Sequence, residues 1–200
     1  MFTYADKRNV TVAMNKSSYK EYMNALFSDR STYSTIKKSP LKKLQEKAYD
    51  LFKRWNKNRY LKHVHKDHEL TQTNTSLLRA YDLPKVHKQN YACRPVIPTV
   101  GSPMYDISKR LYNVLSNCID RPKSHVRNSY EFISKLKNIK IPRNYRVIIL
   151  DVQSLFTNVG KKLVIQALEK RACQMRAKSH ISFDEIIAAT ELLFDYNSIL

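Results

Sequence analysis

One stretch of this sequence ends an apolar run in a carboxylate. Arg146 is followed by Val147, Ile148, Ile149 and Leu150; the run stops at Asp151, ahead of Val152, Gln153, Ser154, Leu155 and Phe156. A continuous apolar stretch with β-branched residues has the signature of a buried strand. A carboxylate at the tip of such a strand is costly unless something compensates its charge. In phosphoryl-transfer sites the compensating group is commonly a hard cation such as Mg²⁺, which takes oxygen ligands. Taken alone the pattern is weak, because an Asp after a hydrophobic strand is more often a helix cap or a turn residue.

Other residue types capable of chemistry form no ordered pattern. His63, His65 and His68 cluster, but they match none of the standard zinc spacings, and of the cysteines only Cys93 lies near them. Only Gly101 and Gly160 occur, far apart, so no glycine-rich phosphate cradle can be built. Cys93, Cys118 and Cys173 are odd in number and form no CxxC pair. That argues against a secreted disulfide scaffold and for a reducing intracellular setting.

The elements that must position Asp151 are those of a chain of 200 residues, long enough for one ordinary domain or two small ones. The apolar fraction of 42% and aromatic fraction of 10% argue against global disorder. No stretch approaches the ~18 consecutive apolar residues of a membrane span, and the N-terminus has no signal-peptide run. The net charge is +19, and it is uneven. Residues 30–66 hold twelve basic and two acidic residues, residues 79–150 hold fourteen and four, and residues 183–200 hold four acids and no base. Such a surplus without a membrane anchor points to a polyanion, of which nucleic acid is the commonest. A basic helix face alone would be read as solvation.

Alternation of Val10, Val12 and Met14 predicts a short strand. Ser18 and Glu21 stand at capping-box spacing before Tyr19, Tyr22, Met23, Leu26 and Phe27. Leu41, Leu44, Ala48, Leu51, Phe52 and Trp55 form the stripe of a second helix. Residues 56–80 lack periodicity and read as a loop. Pro84, Pro95, Pro98 and Pro103 punctuate an extended region. Ile107, Leu111, Val114, Leu115 and Cys118 share the face of a third helix, and Asn128 with Glu131 makes another capping box. One helix is expected over Lys161–Met175, and a last one is capped by Ser182 and Glu185.

Several segments, in this order, carry a resemblance. Ala5 to Met14 comes first, then Ser28-Asp29 through Tyr33, then Leu83-Pro84-Lys85-Val86-His87-Lys88. Arg94-Pro95-Val96-Ile97, Gly101-Ser102-Pro103-Met104-Tyr105 and Leu150 to Val159 follow. Together they resemble the fingers and first palm motif of Penelope-like reverse transcriptases, over nearly the whole chain.

The resemblance implies an α+β fold: the helix-rich fingers and N-terminal palm of a right-hand polymerase, incomplete at its C-terminus. It divides the chain into a helical, basic N-terminal fingers region over 1–80 and a fingers region with phosphate-binding motifs over 81–145. The start of the palm occupies 146–200. It implies RNA-directed DNA polymerase chemistry, a nucleotidyl transfer with Mg²⁺ as cofactor. The partners would be an RNA template, a DNA primer and deoxynucleoside triphosphates, with no membrane. For a retroelement with a eukaryotic host, the intracellular setting would be nuclear.

By position in the family, Asp151 would be the catalytic metal ligand, with the Val152 carbonyl as a second. Phe156 falls where that superfamily places an aromatic gate against the ribose 2′-hydroxyl; its spacing suits a core aromatic more readily. Arg94 falls where an arginine clamps the incoming triphosphate. Lys85 is the next phosphate contact, with Lys88 and Lys7 as weaker candidates. The family's remaining metal ligands come from a later hairpin with an Asp pair, and no adjacent Asp-Asp occurs in these 200 residues. The chain is therefore expected to bind Mg²⁺ weakly and not to polymerise alone, as a partial or decaying copy would. The family usually has glycine where Arg8 and Asp82 stand and proline where Gly160 stands, which predicts strain if those glycines need positive φ. The alternative reading is a non-catalytic basic RNA- or DNA-binding module, which has no need of Asp151.

Overall fold

The computed structural model describes residues 1–7, 9–61, 74–86, 93–137, 139–140, 142–152 and 155–195, the side chains of 93, 156 and 157 excepted. Lys88, Arg8, Gln153, Ser154 and the three clustered histidines lie outside the described residues, as does the Phe156 side chain. The architecture mixes α and β, as expected of an α+β chain: helices dominate, with two small antiparallel hairpins among the described residues.

Strands β1 (Phe2–Tyr4) and β2 (Thr11–Ala13) pair with Thr3 opposite Val12. Asn9, in the turn between them, takes φ +48°, a region Asn tolerates better than most residues. Helix α1 (Lys16–Phe27) follows. Its N-cap is Asn15, without a side-chain cap bond, so the expected Ser18–Glu21 box falls inside the helix instead of at its start.

Strands β3 (Tyr81–Pro84) and β4 (Cys93–Val96) form the second hairpin, pairing Asp82 with Pro95 and Pro84 with Cys93. The Asp82 N–H donates to the Tyr19 hydroxyl at 3.0 Å, and the Pro84 carbonyl accepts from the Asp6 N–H at 3.0 Å. Both groups therefore point away from β4, which makes these two pairs the non-hydrogen-bonded ones of the ladder. Pro84 and Pro95 sit at those pairs, where a missing N–H costs the ladder nothing.

The core is helical. Helix α2 (Leu41–Lys57) buries Leu44, Ala48, Leu51, Phe52 and Trp55, the stripe read from its periodicity. Helix α3 (Tyr105–Cys118) buries Ile107, Leu111, Val114 and Cys118. These join Leu168, Met175, Ile181, Ile186 and Ala189 in one cluster. Helix α4 (Ser129–Leu136) starts on the expected cap, with the Asn128 Oδ1 accepting from the Glu131 N–H at 2.9 Å. It buries none of its own residues. A short turn of helix, α5 (Leu155–Asn158), precedes the C-terminal helices.

The helix expected over Lys161–Met175 is two: α6 (Lys161–Glu169) and α7 (Ala172–Lys178). The Arg171 N–H turns back to the Leu168 carbonyl at 2.9 Å, which ends α6. Helix α8 (Phe183–Asp195) begins as the Ser182–Glu185 spacing predicts, although the Ser182 Oγ accepts the Glu185 N–H only at 3.4 Å. Glu185 ties α8 to α2, accepting from Arg54 at 3.1 and 3.2 Å and from the Trp55 indole N–H at 3.0 Å.

The apolar run at 147–150 departs from expectation. These residues are extended but pair with no strand, and Ile149 is 91% exposed. A β-branched run becomes a buried strand only where a neighbouring strand and a covering layer exist. Among the described residues neither faces it.

Candidate functional site

The strand layer joins the two N-terminal motifs. Asp6 follows β1, and its N–H bonds to the Pro84 carbonyl of β3. Its carboxylate, 3% exposed, receives the Arg94 guanidinium from β4, Nη1 to Oδ1, at 2.9 Å. The Arg94 side chain remains 55% exposed, so part of its donor fork faces solvent. Lys85 directly follows β3 and is half-buried. The sequence-predicted phosphate contacts Arg94 and Lys85 therefore share one hairpin, with the Asp6-Lys7 segment beside it.

That layer is electrostatically unusual. Asp82 is 1% exposed, and among the described residues neither of its carboxylate oxygens has a hydrogen-bond partner; the second oxygen of Asp6 is likewise buried and unpartnered there. Asp82 lies in a strand and is not among the positive-φ residues, which among the described residues are Asn9, Arg59 and Gly101. The strain expected from a glycine-to-Asp change is thus absent from its backbone. The cost lies in desolvating a carboxylate. Neither Asp82 nor Asp6 stands out in the sequence as a buried group; the alternation of β3 would turn Tyr81 and Leu83 inward and Asp82 outward, the reverse of the observed burial.

Asp151 makes no bond to this cluster among the described residues. It sits in the extended, solvent-exposed segment before α5, and Val152 is 65% exposed beside it. Among the described residues Asp151 has no hydrogen-bond or ion-pair partner, and no three His, Cys, Asp or Glu side chains lie together as a metal group. A single exposed carboxylate does not fit a resident Mg²⁺, which needs several oxygen ligands. Phe156 falls on α5, at backbone level only. Lys88 and Arg8 cannot be placed relative to the site, as both lie outside the described residues.

No helix among the described residues is long and apolar enough to cross a membrane. No protein-family model, curated protein or solved structure matches this chain.

Proposed function

We propose that the chain is the fingers and N-terminal palm portion of an RNA-directed DNA polymerase of the Penelope-like kind. Alone it binds nucleic acid and nucleoside triphosphates without extending a primer. The observation that carries this reading is the Asp6–Arg94 ion pair. It joins two of the segments that bear the resemblance and holds a half-exposed guanidinium on the hairpin that also carries Lys85. A guanidinium suits phosphate oxygens, and Arg94 has N–H groups left for them. Under this reading a triphosphate takes the solvent side of Arg94, with Lys85 as the second cation.

The alternative, a basic nucleic-acid-binding module with no catalytic past, is favoured by the exposed, unpartnered position of Asp151. The two readings separate on triphosphate binding. Calorimetric titration with a deoxynucleoside triphosphate is expected to show binding that Arg94→Ala weakens by at least about tenfold, the loss of a charge-assisted hydrogen bond. Removing Arg94 leaves Asp6 buried without its partner, so the double variant Asp6→Asn/Arg94→Ala controls for folding. Triphosphate affinity unchanged in both variants overturns the polymerase reading and leaves the module. Primer extension on an RNA template is expected to be absent. Extension that disappears in Asp151→Ala would show the chain to be catalytically complete.

A further inference from the structure

A second cationic surface lies outside the strand layer. Tyr112, Leu115 and Ile119, along α3 and its C-terminal end, line an open groove of about 630 Å³ together with Arg121, His125 and Arg127 from the loop before α4. That volume is within the range of ligand clefts, about 300–1,000 Å³. Tyr112 is 69% exposed on a helix whose opposite face is core. Leu115 and Ile119 give the groove an apolar lining.

The charges are arranged so that cations remain in excess. Asp120 is matched by Lys178 at 2.7 Å, and Glu131 is matched by Arg127 at 3.2 Å and Lys135 at 3.0 Å. Arg121 has no acidic partner among the described residues; its Nη1 lies 3.0 Å from the His125 Nε2. A guanidinium can only donate, so this contact needs the lone pair of that ring nitrogen, and His125 steadies Arg121 without neutralising it. The groove thus offers an exposed aromatic face, an apolar lining and an unneutralised guanidinium.

Those three features match the parts of one nucleotide: a base face, a sugar and a phosphate. We propose that this groove binds a single-stranded nucleic acid, with a base stacked on Tyr112 and a phosphate held by Arg121. The inference rests on the nucleic-acid reading above and adds the surface on which the strand lies. A single strand is favoured over a duplex because only an unstacked base can give its face to Tyr112. An acidic peptide would satisfy Arg121 but would leave the aromatic ring without a flat partner.

The test is fluorescence anisotropy on the full chain with a labelled oligonucleotide, in RNA and DNA versions, over a salt series. Tyr112→Ala is expected to weaken binding about fivefold or more, the loss of one stacked base. Arg121→Ala is expected to flatten the log–log salt dependence by about 0.7, one phosphate on a single strand. Lys20→Ala, an equal charge change on α1, is expected to leave the Tyr112 stacking effect in place. Tyr112 is exposed, so its variant is expected to keep the wild-type circular dichroism. An abasic strand of the same length is expected to bind the wild type more weakly, and no better than the intact strand binds Tyr112→Ala. With an iodouracil-substituted strand, irradiation is expected to yield a cross-link on the peptide containing Tyr112. Wild-type binding that Tyr112→Ala leaves unchanged overturns the groove while sparing the nucleic-acid reading. Equal affinity for intact and abasic strands, or equal competition by polyglutamate, overturns the stacking role and with it the groove. No binding of either oligonucleotide at low salt overturns both.

Discussion

The helical core and the segment from α4 to Asp151 are both rich in apolar residues, yet they meet opposite fates. In the core, Trp55, Met175, Ile186 and Ala189 are all but inaccessible to water, and the one polar atom of Trp55 is satisfied by Glu185. From α4 onward, Tyr130, Ile133, Tyr145 and Ile148 all stay mostly exposed. The difference is one of partners. The buried stripes of α2, α3, α7 and α8 join in one cluster, with α3 packed on α7 and α8, whereas the run at 147–150 faces nothing among the described residues. Apolar content alone does not make a core; opposed apolar faces do.

The largest effect that could break this comparison is at Trp55. Trp55→Ala is expected to lower stability by about 3–5 kcal/mol, read from the midpoint of urea unfolding. A loss well below that would mean the α2–α8 contact is less well packed than its burial indicates. Next comes Asp82. Its two orphan oxygens are expected to make Asp82→Asn stabilising, by about 1–3 kcal/mol, because the buried group no longer needs to carry a charge. A destabilised variant would mean that the carboxylate has a partner in solution.

In the exposed segment, Ile149→Ser is expected to move the unfolding midpoint by less than the equivalent of about 0.5 kcal/mol, as a surface substitution does. A loss as large as that of a core residue would reveal a covered strand and erase the contrast between the two regions. The smallest effect is a titration. Glu131, at the first turn of α4, accepts the Arg127 N–H and contacts Lys135, which together hold its carboxyl down to about 2. Its folded value lies below its unfolded one, so its contribution is full above the ordinary carboxylate range and is lost progressively as pH falls from there through about 2. Carboxyl carbon NMR is expected to place its inflection there, and an inflection near 4.5 would mean that the clasp on Arg127 is open.

What could be read from the sequence was local. The stripes of α2 and α3 were legible because helical periodicity is set within a few residues, and Asn128 announced α4 through a bond only three residues long. The α6–α7 break was not legible, since no proline or glycine marks Lys170 and Arg171 and the apolar stripe runs through both. The run at 147–150 misled because a strand is a relation between segments, and its partner is not encoded in its own residues. At the candidate site, Arg94 and Lys85 could be named from motif order. That Arg94 pairs with Asp6, and that Asp82 is buried beside no partner, depends on contacts between distant segments that no spacing displays.

The Asp6–Arg94 pair and the Asp6–Pro84 bond also set a schedule. Asp6 leaves the ribosome's catalytic centre 88 residues before Arg94 exists. At about 5–20 residues per second, the N-terminal hairpin waits roughly 4–18 s for the strand that anchors it. During that interval the Asp6 carboxylate, destined for burial, must stay in water, so β1 and β2 cannot dock early. A hairpin made well before its anchor is thus among the last parts to settle.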